Sequence, residues 1–165
     1  MSMMLAAMLL AATATGDDDA LIDAGQPEVV VTAVQKAGYR AELIVNDRGE
    51  AYISSAANGS PFTIDFYGCE NNKNCTSLQF SSWYKKDPIF TPAFTNEWNV
   101  NKRFLRIAVD KDGDLNLYFD ITTAGKITYK NFADALDWYT SLDANFADFL
   151  AEKLKAIKSA TGGAK

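Results

Sequence analysis

The chain has 165 residues, of which 48% are hydrophobic and 22% charged; the net charge is −5 and there is no histidine. This composition predicts one globular domain with enough apolar material for a single core. The acidic charge argues against nucleic acid as a partner, because phosphates need neutralisation by lysine and arginine. Without an imidazole, the usual serine and cysteine catalytic triads are excluded.

The first 14 residues are predicted to be a signal peptide. The run from Met3 to Ala14 is apolar or small, and it is shorter than the ~20 residues that a membrane-spanning helix needs. A small-x-small sequence ends at Ala14, so we expect cleavage there and a mature protein that begins at Thr15. No lysine or arginine precedes the apolar run, and a buried N-terminal helix is the alternative interpretation. We therefore expect a periplasmic or secreted protein without a membrane span in its mature form.

Residues 15–26 are expected to form a polar lead-in, and residues 27–37 a helix. The helix prediction rests on valines and alanines spaced three or four residues apart, with Pro27 in the first turn and Gly38 just past the end. Two stretches follow in which apolar and polar residues alternate, as in β-strands. If the two strands pair so that Val45 lies opposite Ala51, the loop between them is formed by residues 47–49. Gly49 then takes the left-handed position of a type I turn with a bulge.

The same turn is predicted a second time, at residues 111–113. It places Val109 opposite Leu115, with Gly113 in the left-handed position. The aspartates here alternate as in a calcium-binding loop, but the sixth position is Leu115 rather than glycine and the twelfth is Ile121 rather than glutamate. We therefore interpret the acids as solvated residues of a hairpin turn, with weak calcium binding as the alternative.

Cys69 and Cys75, the only two cysteines, lie between two further alternating stretches. If they bond, the strands pair in a register that sets Phe66 opposite Leu78, and the hydrophobic pattern demands that same register. We therefore predict a disulfide on the polar face, at the mouth of a hairpin. Free thiols and a metal site are the alternatives, although two thiolates without histidine supply only half of a tetrahedral zinc site.

Aromatic residues cluster around the connection that precedes the second glycine hairpin. A short helix is predicted there, with Thr91 as its cap and Pro92 in its first turn. The candidates for a partner-binding surface are Trp83, Tyr84, Phe90, Phe94 and Trp98. Packing in the core is the alternative interpretation, and glycan stacking is a further one.

A long amphipathic helix is predicted from Thr128 onward, because apolar residues recur every three or four positions as far as Ile157. The predicted order is therefore helix, four strands, short helix, two strands and long helix. This order indicates an α+β fold with an antiparallel sheet of five to six strands. We expect a single domain over residues 27–158 and a flexible tail over residues 159–165.

Three segments in this order resemble the YbjN-domain family, described as bacterial sensory transduction regulators. They are Gly38-Tyr39 with NDRGEAYI, then FYGCENNKNCTSLQFSSWY, and then NEWNVNKRFLRIAVDKDGDLNLYFDI with its long helix. The resemblance covers roughly residues 27–150, and the stretch from Glu97 to Asn99 is its most characteristic part. It implies a fold like that of type III secretion chaperones, in which helices pack against a small antiparallel sheet.

The resemblance implies a non-enzymatic, regulatory or chaperone-like module that binds a protein, and the predicted signal peptide indicates that this module is exported to the bacterial envelope. It supplies no catalytic residue, cofactor or metal, and it leaves the partner unidentified; a homodimer is one form that the protein can take. The alternatives are an envelope enzyme that uses carboxylates, such as a glycan hydrolase, and a structural or stress-related envelope protein.

Overall fold

The computed structural model describes residues 17–162, so the predicted signal peptide and the last three residues lie outside the described chain. After a 3-10 turn at Asp17–Asp19, the described residues form three helices and eight strands. The helices are α1 (Pro27–Lys36), α2 (Pro92–Asn101) and α3 (Tyr129–Gly162). The strands are β1 (Leu21–Ile22), β2 (Ala41–Val45), β3 (Ala51–Ala57), β4 (Ser60–Tyr67), β5 (Ser77–Tyr84), β6 (Arg106–Val109), β7 (Leu115–Thr122) and β8 (Ile127–Thr128).

Six of these strands form one antiparallel sheet in the order β2-β3-β4-β5-β7-β6, and β1 pairs with β8 in a separate two-stranded sheet. The predicted α+β class is confirmed. Both glycine hairpins have the predicted register, with Val45 opposite Ala51 and Val109 opposite Leu115. Gly49 and Gly113 have φ angles of 80° and 90°, in the region that other residues seldom adopt.

The β4–β5 hairpin also has the predicted register, with Phe66 opposite Leu78, and Cys69 is bonded to Cys75. The expected position of Cys75 on a polar face was wrong, because this residue is only 3% exposed. Its N–H donates to the carbonyl of Gly25 at 2.9 Å, and its own carbonyl accepts from Thr123 Oγ1 at 2.6 Å. The segment ahead of α1 thus covers the disulfide.

The core lies on one face of the six-stranded sheet, where the buried side chains of all three helices join one cluster. In α1 the buried positions Val30 and Val34 supply the stripe predicted from the sequence. Tyr139 of α3 contributes a large ring, whose centroid lies 5.1 Å from that of Phe62 and 5.4 Å from that of Phe80. The long helix therefore packs across the middle strands.

The ends of the domain contain more regular structure than the sequence pattern indicated. The expected polar lead-in includes strand β1 and the fully buried Ala24. Residues 159–162, expected in a flexible tail, continue helix α3 as far as Gly162. A strand of two residues is too short to show periodicity, which explains why β1 and β8 were not predicted.

Candidate functional site: the helix-free face of the sheet

The second face of the six-stranded sheet carries no helix among residues 17–162, and we call it the open face. Alternate side chains of its strands point there, as the twofold strand period requires. Most of them are partly exposed, and Trp83 is 64% exposed. The main polar and aromatic members are Tyr52, Ser54, Thr63, Asp65, Tyr67, Gln79, Ser81, Trp83, Arg106, Asn116, Tyr118 and Asp120.

A chain of hydrogen bonds crosses four strands of the open face. The hydroxyl of Tyr67 donates to Gln79 Oε1 at 3.3 Å, and Gln79 Nε2 donates to Asp120 Oδ1 at 2.6 Å. Arg106 forms an ion pair with Asp120 Oδ2 at 3.2 Å. The same guanidinium lies 4.5 Å from the ring centroid of Tyr118. These contacts join side chains of the four strands into one hydrogen-bonded network.

A second cluster on the open face surrounds Asp65. Its Oδ2 accepts hydrogen bonds of 3.0 Å from the hydroxyls of Thr63 and Ser81, which lie 2.9 Å from each other.

Partial burial raises the pKa of Tyr67, and the negative charges of Asp65 and Asp120 raise it further. The Tyr67 phenol therefore stays protonated and acts as a donor.

Strands β4 and β5 separate at one end of the open face and leave a cavity of about 380 Å³, which we call the notch. Ser54, Thr63, Ser81 and Trp83 line it from the open face. Phe62, Ser82, Tyr84 and Asp143 line it from the core side. The notch thus connects the open face with side chains that pack against α3.

Asp143 of α3 is the ionisable group at the inner end of the notch. It is 6% exposed, and its Oδ1 accepts a hydrogen bond of 2.7 Å from Ser82. Burial raises the pKa of Asp143, and the bond from Ser82 acts in the opposite direction. Burial also raises the pKa of Tyr84 to about 12, with a further contribution from the negative charge of Asp143.

The structure divides the five predicted partner-binding aromatics into two groups. Trp98 and Phe94 are buried, and Tyr84 and Phe90 are half-buried. These four make tilted or edge-to-face ring contacts with one another or with Phe146 and Phe149 of α3, with ring centroids 5.1 to 5.7 Å apart. Trp83 is separate from them and exposed on the open face. Partner binding by these residues stays a prediction, and Trp83 is the member with a large exposed surface.

The segment from Glu97 to Asn99 attaches α2 to the rest of the domain. Glu97 forms an ion pair with Lys153 of α3, and Trp98 Nε1 donates to the carbonyl of Leu105 at 3.0 Å. Asn99 bonds both backbone groups of Ile107: its Nδ2 donates to the carbonyl at 3.0 Å and its Oδ1 accepts from the N–H at 2.9 Å. The side chain thus takes the place of a neighbouring strand at the edge of β6.

The alternating aspartates of the second glycine hairpin cap its backbone. Asp110 Oδ1 accepts from the N–H groups of Asp112 and Asp114, at 2.9 and 3.0 Å. Although desolvation opposes the shift, the hydrogen bonds from Asn116 and from backbone N–H groups together lower the pKa of Asp110. Across residues 17–162, no three acidic or cysteine side chains come together as a potential metal site. The geometry is that of the predicted hairpin turn.

Two features of the site were missed in the sequence. The tyrosines of the open face alternate with apolar core residues, and this pattern also fits any solvated strand face. Asp143 lies four residues after Tyr139 and three before Phe146, which places it on the apolar stripe of α3. An acidic residue on an otherwise apolar stripe was the sequence signal that could have identified Asp143 as a buried carboxylate.

The chain matches one family model, over residues 26–152; the family is YbjN, described as "putative bacterial sensory transduction regulator". No curated protein and no solved structure matches the chain. The family description names a regulator and not an enzyme. In the described part of the chain, no helix combines the length and apolar character needed to cross a membrane.

Proposed function

The chain belongs to the YbjN family, and from this premise we propose that it is a non-enzymatic regulatory or chaperone-like module that binds a protein segment on the open face. One observation carries the proposal. An ordered surface of tyrosine, tryptophan and hydrogen-bonded polar side chains spans the sheet, and no helix among the described residues covers it. Aromatic side chains of this kind are enriched at the centres of protein interfaces.

The composition of the open face favours a reversible partner. Its exposed rings are set among serine, threonine, glutamine and charged side chains, and they do not form a continuous apolar patch. Permanent interfaces are more apolar than this. A transient partner, as regulation or chaperoning requires, fits the surface better than a permanent homodimer does.

The enzyme alternative has less support. The carboxylates of the open face have close partners, because Asp65 accepts from two hydroxyls and Asp120 pairs with Arg106 and Gln79. A general acid or base needs a carboxylate that can reach a substrate proton. These two groups serve to order the surface.

We also propose that the protein acts in the bacterial envelope. The Cys69–Cys75 disulfide is compatible with this location, because such bonds persist in oxidising compartments. The apolar run of residues 3–14 supports export.

Site-specific photo-crosslinking tests the binding surface. A crosslinking amino acid replaces Ser54 on the open face, or Ala151 on the exposed side of α3 in the control. We expect a discrete adduct from position 54 alone, lost in a Trp83→Ala background and kept with Trp138→Ala, which removes another exposed tryptophan. The same adduct from both positions, or no adduct under any growth condition, contradicts the proposal. An adduct of twice the chain mass identifies a homodimer.

A further inference from the structure

The notch exists because the β4–β5 ladder stops before β4 does. The last paired residues are Thr63 and Ser81, whereas β4 begins at Ser60. Pro61 has no N–H with which to continue the ladder. In addition, Asn58 Nδ2 donates to the carbonyl of Thr140 at 3.1 Å, which holds the start of β4 towards α3. The separation of the strands is therefore built into the fold.

In the described part of the chain, the carboxylate at the inner end of the notch has no cationic partner. Among residues 17–162, Ser82 is the side chain that hydrogen-bonds to Asp143, and no lysine or arginine forms an ion pair with it. A buried charge is unfavourable unless it is paired. A cation that enters the notch would supply the missing partner, and the net charge of −5 favours the approach of cationic groups.

The walls of the notch suit an alkylammonium chain. The rings of Phe62 and Tyr84 offer apolar surface to the methylene groups of a lysine, which commonly lie along such surfaces. The exposed ring of Trp83 stands at the entrance and can attract a cation over its face. Ser82 already occupies Asp143 Oδ1, so the remaining oxygen matches a single ammonium donor better than the planar fork of arginine, which pairs with both oxygens.

We infer that the notch binds the side-chain ammonium of a lysine presented by an extended segment of the partner protein. The inference rests on the proposed function and specifies one anchor within it. A metal ion is a poor occupant, because one carboxylate with hydroxyl neighbours lacks the several oxygen ligands that calcium and magnesium take. The open face then orients the segment, and the notch selects the lysine.

Titration with model peptides tests the inference. The probe is a blocked five-residue peptide of threonine and valine with lysine at its centre, and the neutral comparison carries norleucine there. Binding is followed through the amide NMR signals of Ser82 and Tyr84. We expect the norleucine peptide to bind at least about tenfold more weakly, since a charge-assisted hydrogen bond contributes about 1.5 kcal/mol or more.

Asp143→Asn provides the matched variant, because its amide oxygen still accepts from Ser82 while the charge is gone. We expect the variant to remain folded and to lose the preference for lysine. Asp148→Asn, on an exposed position of the same helix, is expected to keep that preference. If Asp143→Asn does not fold, the comparison of the lysine and norleucine peptides on the wild-type protein still tests whether the notch binds an ammonium group.

Three outcomes of the titrations overturn the inference. They are equal binding of the two peptides, an unchanged lysine preference in Asp143→Asn, and binding of free n-butylammonium as tight as that of the lysine peptide. The last outcome would identify the ligand as a free amine. If the open-face adduct forms in Asp143→Asn as in the wild type, the lysine anchor fails while the proposed function stands. If no adduct forms from position 54 in either protein, the proposed function itself fails.

Discussion

Ser82 and Asp143 lie 61 residues apart in the sequence, and the serine hydroxyl donates a 2.7 Å hydrogen bond to the aspartate carboxylate within the notch. The bond joins the end of strand β5 to the middle of helix α3. It partly compensates the burial of a carboxylate that no positive charge neutralises in the described structure. The ionisation of Asp143 is therefore coupled to folding.

The first prediction concerns the pH dependence of stability. Burial raises the pKa of Asp143 above its ordinary value of 3.8, so the folded protein holds this proton more tightly than the unfolded chain does. The contribution of this group to stability is fully present below pH 3.8 and is lost as the pH rises through the folded-state pKa. The free energy of unfolding of the wild type, minus that of Asp143→Asn, should therefore fall between acidic and neutral pH.

Urea unfolding of both proteins over a pH series measures this difference. Ser82→Ala is an informative second variant, because the hydrogen bond from Ser82 lowers the pKa of Asp143. Without this bond, the stabilisation by protonated Asp143 should persist to a higher pH before it is lost. A difference that stays constant with pH, or that grows towards neutral pH, would contradict the prediction.

The second prediction concerns the Tyr139 hydroxyl, which is buried without a hydrogen-bond partner in the described structure. Burial raises its pKa most, and the negative charge of Asp143 raises it further, while the neighbouring Ser82 hydroxyl acts in the opposite direction without reaching hydrogen-bond geometry; the Tyr139 hydroxyl stays protonated. Because an unsatisfied buried group opposes folding, Tyr139→Phe should leave stability unchanged or raise it by up to about 1 kcal/mol.

Tyr39→Phe is the matched control for Tyr139→Phe. The Tyr39 hydroxyl shares a 3.2 Å hydrogen bond with Thr140 Oγ1, so its removal should lower stability by about 1 kcal/mol. Thermal or urea unfolding gives both values. A loss of stability in Tyr139→Phe as large as that in Tyr39→Phe would show that the Tyr139 hydroxyl has a partner.

The third prediction concerns Asn99, which pairs with both backbone groups of Ile107 at the sheet edge. Asn99→Ala should lower the free energy of unfolding by about 2 kcal/mol, because two hydrogen bonds are lost. It also exposes an edge strand, and exposed edges promote association. Asn96→Ala, at an exposed position of the same helix, is the control. Equal stability and no association in Asn99→Ala would refute the edge-blocking role.

The fourth prediction concerns the disulfide loop. Replacing Cys69 and Cys75 with serine should reduce stability by about 2 kcal/mol, the value that the chain-entropy model gives for so short a loop. The effect should extend to the β2–β3 hairpin, since Asn72 of the loop donates to the carbonyl of Gly49 and accepts from the N–H of Ala51.

Hydrogen exchange at the Ala51 amide measures how far the effect of the loop extends. The amide should exchange faster in the double serine variant and in the reduced wild type, whereas reductant should not change the variant. Unaltered protection at Ala51 would show that the loop and the hairpin are independent.

The fifth prediction concerns export. Protein recovered from the envelope should have the mass of a chain that begins at Thr15, and thiol labelling should find neither cysteine free. An intact N-terminus in the cytoplasm would exclude the proposed location.

The predictable part of the fold was the local pairing of strands. The registers of the β2–β3, β4–β5 and β6–β7 pairs follow from the alternation of apolar residues along each strand. They follow also from the short connections, which contain a left-handed glycine in the first and third pair and the disulfide loop in the second. The pairing of β5 with β7 did not follow, because α2 and β6 lie between them in the chain. No local pattern determines which distant strand completes a sheet.

The site was less predictable than the fold, because exposure depends on tertiary packing. Trp83 and Trp98 are both aromatic residues near one connection, yet Trp83 lies on the open face while Trp98 is only 1% exposed. Asp143 shows the converse, since a residue type that is usually solvated is buried at the notch. The different exposure of the two tryptophans does not follow from composition, whereas the position of Asp143 on the apolar stripe of α3 was a signal in the spacing.

The insertion of β7 between β5 and β6 has a consequence for how the chain acquires its structure during synthesis. Strands β2 to β5 can form a meander as soon as residue 84 has emerged, but Leu78 and Phe80 then lie on an unprotected edge until residues 115–122 follow. For roughly the time needed to deliver those residues, the nascent protein is most open to pairing with a foreign strand. A chain truncated within α2 or β6 should therefore aggregate through the unpaired edge of β5.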